Sequence, residues 1–236
     1  MNPIMAHRGW SGKSPENTLA AIKLAVKEPS ISAIELDVQL SKDGIPVIIH
    51  DFTVNRTTNG EGFVKDLTMK QLRSLDAGSW FSPDFKGEKI PTLEEVLQTV
   101  NGKKILNIEL KVAGELYAGL EEKVIETIKI FKVEKDVMIT SFDHKRIQKV
   151  NKLTSSIKTG LIILGLPTLI EEQLNYTKAT ILSMSFPYLT TKFVKSHIQN
   201  GRTVIAWVPN SKVEIAFVKA IHPDIVICTD FPDNAK

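Results

Sequence analysis

Cysteine is nearly absent. Cys228 stands alone, so the chain has no internal disulfide and no cysteine metal cluster. Its neighbours Ile225, Val226 and Ile227 predict a buried, unreactive thiol. Long apolar runs are missing too. Stretches such as Leu161 to Leu164 are far too short for a bilayer, which needs about 20 residues. Met1-Asn2-Pro3 leads straight into a strand, with no basic segment and apolar run of the secretory kind. The expectation is a cytoplasmic location with no stable membrane insertion. Charge of one sign is also lacking. Thirty Lys and Arg face 27 Asp and Glu, a net of +3, and the basic residues are scattered. That excludes a nucleic-acid partner on electrostatic grounds. What remains is an ordinary globular composition, 42% hydrophobic and 24% charged, over 236 residues. This length fits one α/β barrel or two small domains.

The most informative stretch runs from Ala33 to Asp51. Read with period two, Glu35, Asp37 and Gln39 fall on one face, and Ile34, Leu36, Val38 and Leu40 on the other. Ser41-Lys42-Asp43-Gly44 makes a turn, and Ile45 to Ile49 returns as a second apolar run ending in His50-Asp51. Two carboxylates two residues apart on a strand point the same way, roughly 7 Å apart. Their repulsion is costly unless a cation or donors lie between them, and hard divalent cations prefer oxygen ligands. A solvated strand face is the competing explanation.

Elsewhere strands and helices alternate. Pro3 to Ala6 is a short strand ending in His7-Arg8-Gly9, and Ser14-Pro15 reads as a helix start. Residues 52–103 hold no clear central strand but carry two capping boxes, at Thr68 and Thr92. This stretch is expected to be an inserted cap subdomain; among its aromatics Trp80, Phe81 and Phe85, Trp80 and Phe81 are expected to form a small core inside it, with direct substrate contact as the alternative. Ile105 to Lys111 repeats the pattern of the central strand, with Asn107, Glu109 and Lys111 on its polar face. A helix over 115–131 follows, and further strands begin at Val137, Lys158, Ile181, Thr203 and Ile225. With Ile4, Ala33 and Ile105, that makes eight parallel candidates. The run from Ile45 must turn back antiparallel, because a parallel connection needs a dozen or more residues. The pattern predicts a single (β/α)8 TIM barrel over 1–236. A doubly wound sheet is disfavoured, because no glycine-rich loop follows the first strand.

In such a barrel the carboxyl ends of the strands form the site. His7, Arg8, Glu35, Asp37, Glu109 and Lys111 all converge there, and His50 reaches it if the hairpin folds over the rim. This favours a metal site over scattered surface charge. By contrast His144, His197 and His222 fall in helical or loop contexts without nearby carboxylates.

The blocks His7-Arg8-Gly9, Pro15-Glu16-Asn17-Thr18, Glu35-Leu36-Asp37-Val38, Ser41-Lys42-Asp43-Gly44 and Pro46 to Asp51 resemble the glycerophosphodiester phosphodiesterase family. The resemblance continues through Asp66-Leu67-Thr68, Asp76-Ala77-Gly78, Ile90 to Glu95 and Asn107 to Lys111, with weaker echoes at Ser141-Phe142-Asp143, Trp207 and Thr229-Asp230. It implies hydrolysis of a small glycerophosphodiester to sn-glycerol 3-phosphate and an alcohol, with one divalent metal ion, Ca or Mg. It also implies Glu35, Asp37 and Glu109 as metal ligands, and His7 and His50 as catalytic residues. Arg8 and Lys111 would bind phosphate. Trp207, read on its own, is a candidate substrate contact, with a core position as the alternative. Val208-Pro209-Asn210 departs from the family pattern of Thr-Val-Asn after the tryptophan. A lysophospholipase D-like or phosphoinositide-cleaving enzyme would share this barrel but need an apolar lip. A dead-site binding barrel would lack part of the constellation. Nothing in the sequence bears on oligomeric state.

Overall fold

The structure, a computed structural model, describes residues 2–236. In chain order it contains β1 (Ile4–Ala6), α1 (Leu19–Lys27), β2 (Ile31–Leu40), β3 (Pro46–Ile48), α2 (Met69–Ser74), α3 (Leu93–Val100) and β4 (Ile105–Leu110). Then follow α4 (Leu120–Phe131), β5 (Val137–Ser141), α5 (His144–Leu153), β6 (Lys158–Ile163) and α6 (Ile170–Thr177). The chain closes with β7 (Ile181–Ser185), α7 (Thr191–Gln199), β8 (Thr203–Trp207), α8 (Lys212–Ile221) and β9 (Val226–Thr229). A 3-10 turn, Pro232–Ala235, stands where an eighth outer helix would lie.

Strands β1, β2 and β4 to β9 pair in parallel, and β1 meets both β2 and β9. The sheet is therefore a closed (β/α)8 barrel, as the eight apolar runs predict. β3 lies outside it, antiparallel on β2, with Val38 opposite Ile48. Alternation along each strand divides the core. Ile34, Leu36, Val38 and Leu40 face the helices and join the main core. The opposite parity points into the barrel. There Met5, Ala33, Ile181, Ile205 and Cys228 make an apolar plug beneath the polar ends of the same strands. A Cβ at Gly160 would come within 2.7 Å of the Ile181 Cβ, so β6 needs glycine to lie this close to β7.

The helix expected to start at Ser14-Pro15 begins instead at Leu19, capped by Thr18, whose hydroxyl accepts from the Ala21 amide. Glu16 and Asn17 instead turn to Arg8 and Asp37. α4 begins at Leu120 rather than near 115; the preceding loop is held instead by Arg146, which donates to the Gly114 and Leu116 carbonyls, and by the Tyr117 hydroxyl, which donates to Gln39. Both capping boxes form, at Thr68 and Thr92.

The stretch 52–103 is of two kinds. Val54, Val64, Leu72, Ala77 and Ile90 form a small core of their own together with Val47 and Ile49 of the hairpin. Its end, α3, packs Leu93, Val96, Leu97 and Val100 into the main core. α3 is thus the barrel's own helix between β2 and β4, and only the part before it lies outside the repeating pattern. Trp80, Phe81 and Phe85 do not build the small core. They stack edge to face on one another at the surface, with Trp80 and Phe81 exposed.

Candidate active site

Parallel register sets the acidic centre. Glu35 lies opposite Asn107, and Asp37 lies directly opposite Glu109 on the neighbouring strand. Like charges placed so are destabilising unless something between them is positive. One oxygen from each of Glu35, Asp37 and Glu109 falls within 4.8 Å of the others, and all three residues are buried. Two of the buried oxygens, Glu35 Oε1 and Asp37 Oδ1, have no hydrogen-bond partner. Unsatisfied buried carboxylate oxygens aimed at one point fit a hard divalent cation.

Cationic side chains surround the cluster. The Arg8 guanidinium sits 3.5 Å from Asp37 and donates to Glu16 at 2.7 Å, while its backbone N–H donates to Glu35 at 2.9 Å. Lys111 donates to Glu109 at 2.6 Å and lies 3.3 Å from Asp37 Oδ1, without hydrogen-bond alignment to the latter. Asn17 donates to Asp37 Oδ2 at 2.8 Å. Burial raises the cost of charge on all three carboxyls, but unequally. Burial, with Asp37 and Glu109 adjacent, pushes Glu35 well up. Burial and Asp37 push Glu109 up to about 7, against the pull of Lys111. Asp37 resists burial because Lys111 and Arg8 flank it, and it is held at about 2. The centre therefore wants positive charge that its own residues supply in full only to Asp37.

Both predicted histidines reach the site, and each is held by a carboxylate. His7 follows β1; its Nδ1 lies 2.7 Å from Asp230, and its Nε2 faces Glu35 at 3.8 Å. His50 follows β3, with Nδ1 2.7 Å from Asp51. An ionised carboxylate only accepts, so each Nδ1 carries the hydrogen and each Nε2 is left free in the neutral ring. Asp230 stays ionised: burial raises its carboxyl, but bonds from His7, Ser11 and Asn210 bring it down to about 2. Burial holds His50 below its ordinary value, aided by Arg8 and Lys111 and opposed by Asp37 and Asp51.

The supporting residues were mostly invisible in advance. Arg56, from the loop after the hairpin, clamps Asp51 with two donors and Glu16 with two more. Glu16 also takes Arg8. A chain of ion pairs thus joins Arg8 at the end of β1 to His50 at the end of β3. Asn210 donates to Asp230 at 2.7 Å and accepts from its backbone N–H at 3.0 Å. The sequence signals were slight: Asp51 adjoins His50, and Asp230 ends the last strand.

His7, Arg8, Glu35, His50, Asn107, Glu109, Lys111, Phe142 and Trp207 line one cavity of about 160 Å³, together with Ser183, Ile205 and Cys228. The Trp207 indole N–H is buried without a partner, and its ring meets Phe142 edge to face. Cys228 is buried, and burial pushes its thiol far up, so it stays neutral. Two histidines outside the site do have acidic neighbours, unlike the expectation. His197 lies 3.2 Å from Glu171, and His222 lies 3.9 Å from Asp224. The first pair joins α7 to α6, which the linear pattern could not bring together; the second is local, since Asp224 follows His222 almost directly in the chain.

Fold and site together define a barrel of the enzyme kind, with three buried carboxylates beside a guanidinium, an ammonium and two imidazoles at the carboxyl ends of its strands. Comparison with known proteins gives the class a family. The glycerophosphoryl diester phosphodiesterase family model matches residues 7–234. A glycerophosphodiester phosphodiesterase of Caldanaerobacter subterraneus is 51% identical over 160 residues, covering 67% of this chain and 65% of its own. Another, from Bacillus altitudinis, is 37% identical over 242 residues, covering 100% of this chain and 97% of its own. A phosphodiesterase of Oleispira antarctica, solved with the product sn-glycerol-3-phosphate, superposes with a TM-score of 0.90 at 30% identity, covering 99% of this chain and 94% of that one. The chain belongs to the glycerophosphoryl diester phosphodiesterase family and is an enzyme of the phosphodiesterase class.

Proposed function

We propose that the chain hydrolyses small glycerophosphodiesters to sn-glycerol 3-phosphate and an alcohol, with one divalent cation, Ca or Mg, held by Glu35, Asp37 and Glu109. The observation that carries this reading is the cluster of three buried carboxylates, two of which, Glu35 and Glu109, line one cavity with Arg8, Lys111 and the two carboxylate-held histidines. When bound, the cation would supply positive charge to a nonbridging phosphate oxygen. Arg8 and Lys111 bind the remaining phosphate charge; a guanidinium matches two phosphate oxygens at once. His7 and His50 divide the proton work. One takes a proton at Nε2 from the attacking oxygen, and the other delivers one to the departing alkoxide. Asp230 and Asp51 fix the rings and stabilise the imidazolium that forms. Trp207 offers its unpartnered N–H to the substrate.

A second reading, a diester carrying an acyl chain, is favoured by one observation. The loops after β5, β6 and β7 expose Phe142, Leu164, Leu166, Leu169 and Tyr188 at the catalytic end of the barrel. One panel separates the two. Glycerophosphodiesters and lysolipids are assayed with EDTA, Mg or Ca. The first reading expects turnover of the short diesters, lost in EDTA and restored by one of the cations. Turnover of lysolipids alone would favour the second.

A further inference from the structure

Gln39 shares the polar face of β2 with Glu35 and Asp37 but takes no part in the cluster. Its side chain is fully buried. β3 ends at Ile48; the Ile49 N–H still donates to the Asp37 carbonyl, but the carbonyls of residues 49–51 accept from no backbone N–H. The Gln39 amide nitrogen meets all three: Ile49 O at 2.9 Å, His50 O at 3.0 Å and Asp51 O at 2.8 Å. Two hydrogens thus serve three acceptors, one of them shared. The amide orientation is chemically fixed, since an oxygen turned toward three carbonyls would only repel them. It is fixed again from behind, where the Tyr117 hydroxyl donates to Gln39 Oε1 at 2.6 Å. Tyr117 comes from the loop after β4, and its ring stacks on Phe52, just past His50-Asp51. Shorter Asn would not reach, and Glu would offer acceptors where donors are needed.

We infer that Gln39, held by Tyr117, is a positioning residue for His50: it sets the backbone from which the His50 ring and its Asp51 partner project. The inference rests on the proposed acid–base role of His50. The bland alternative is that Gln39 only satisfies buried carbonyls and contributes stability.

A double-mutant cycle decides between them. His50→Ala removes the ring and leaves all three carbonyls in place, so Gln39 keeps its bonds in that background. Gln39→Met keeps the volume and drops the donors. Rates on a glycerophosphodiester are measured at high enzyme concentration, and folding is followed by circular dichroism. Gln39→Met is expected to lower kcat about 10²-fold, the scale of a misplacement near 1 Å, with KM changed less than about threefold. In the His50→Ala background it should cost nothing further. Tyr117→Phe deletes one hydroxyl and should show a smaller loss with the same pattern; it carries the test if Gln39→Met does not fold. A folded Gln39→Met or Tyr117→Phe enzyme with wild-type kcat overturns the inference. So does an equal loss with and without the His50 ring, which would mark Gln39 as structural only. If His50→Ala itself keeps wild-type kcat, the acid–base reading fails, and the inference falls with it for that separate, visible reason.

Discussion

At the scale of single residues, the site is a set of costs that cancel only together. Asp37 is paired, whereas Glu35 and Glu109 are buried with too little positive charge. A carboxyl whose folded value is raised stabilises the fold fully at pH below its unfolded value, near 4.3, and loses that contribution as pH rises through the folded value. For Glu109 the window runs from there to about 7. Cation-free protein should therefore lose thermal stability between about pH 4.5 and 7.5. Added Ca or Mg should restore it increasingly with pH, since cation and protons compete for the same oxygens. Scanning Tm against pH with EDTA or with cation checks this, and a Tm rise on cation addition that is independent of pH would falsify it. Asp37→Ala should weaken cation binding, measured by calorimetry. His7→Ala and His50→Ala should each lower kcat by about 10² to 10⁴ with modest change in KM. On a nitrophenyl diester, which leaves with little help, the general-acid variant should recover part of its rate and the general-base variant should not. Wild-type kcat in either alanine variant on the natural type of diester would make that histidine structural.

At the scale of elements, the hairpin matters as much as the barrel strands. β3 carries His50 on its end, while Val47 and Ile49 are buried in the small core of the insertion. The insertion therefore cannot be cut away without uncovering the segment that holds His50, the histidine proposed for proton transfer. Replacing residues 53–90 with a short linker should leave a folded barrel by circular dichroism, because α3 is kept, but with altered substrate preference. Extending the cut through 103 removes α3 and Leu93, Val96, Leu97 and Val100 from the main core, and that product should not fold. A milder test is Leu72→Ala, at a fully buried position of the small core. It should cost about 2–5 kcal/mol by denaturant unfolding and raise the apolar exposure of the insertion. Loss of less than about 1 kcal/mol would mean that the small core collapses easily around the gap.

At the scale of the whole molecule, closure of the sheet does two jobs. It removes every barrel edge, since β1 pairs on both sides. It also brings strand ends that are far apart in sequence to one rim, so that His7 meets Asp230 across 223 positions. No helix among the described residues is long and apolar enough to cross a membrane. The apolar plug fills the barrel below the cavity, so the acidic cluster sits at the end where the strands finish.

The sequence by itself determined the strand faces, the count of eight parallel runs, the antiparallel return of the hairpin and the carboxylate cluster. Each depends on period-two alternation or on a turn within a few residues, and such information is local. It also marked His7, Arg8, His50 and Lys111, because strand ends can be read from where apolar runs stop. Only the tertiary structure decided which groups hold those residues. Arg56 bridging Asp51 to Glu16, Asn210 orienting Asp230, and Tyr117 orienting Gln39 are contacts made by loop residues, which have no periodicity of their own. The same cause moved the first helix start to Thr18, since Glu16 and Asn17 are drawn to Arg8 and Asp37 instead of into a helical turn. Loops report their partners only after the barrel has closed and set them side by side.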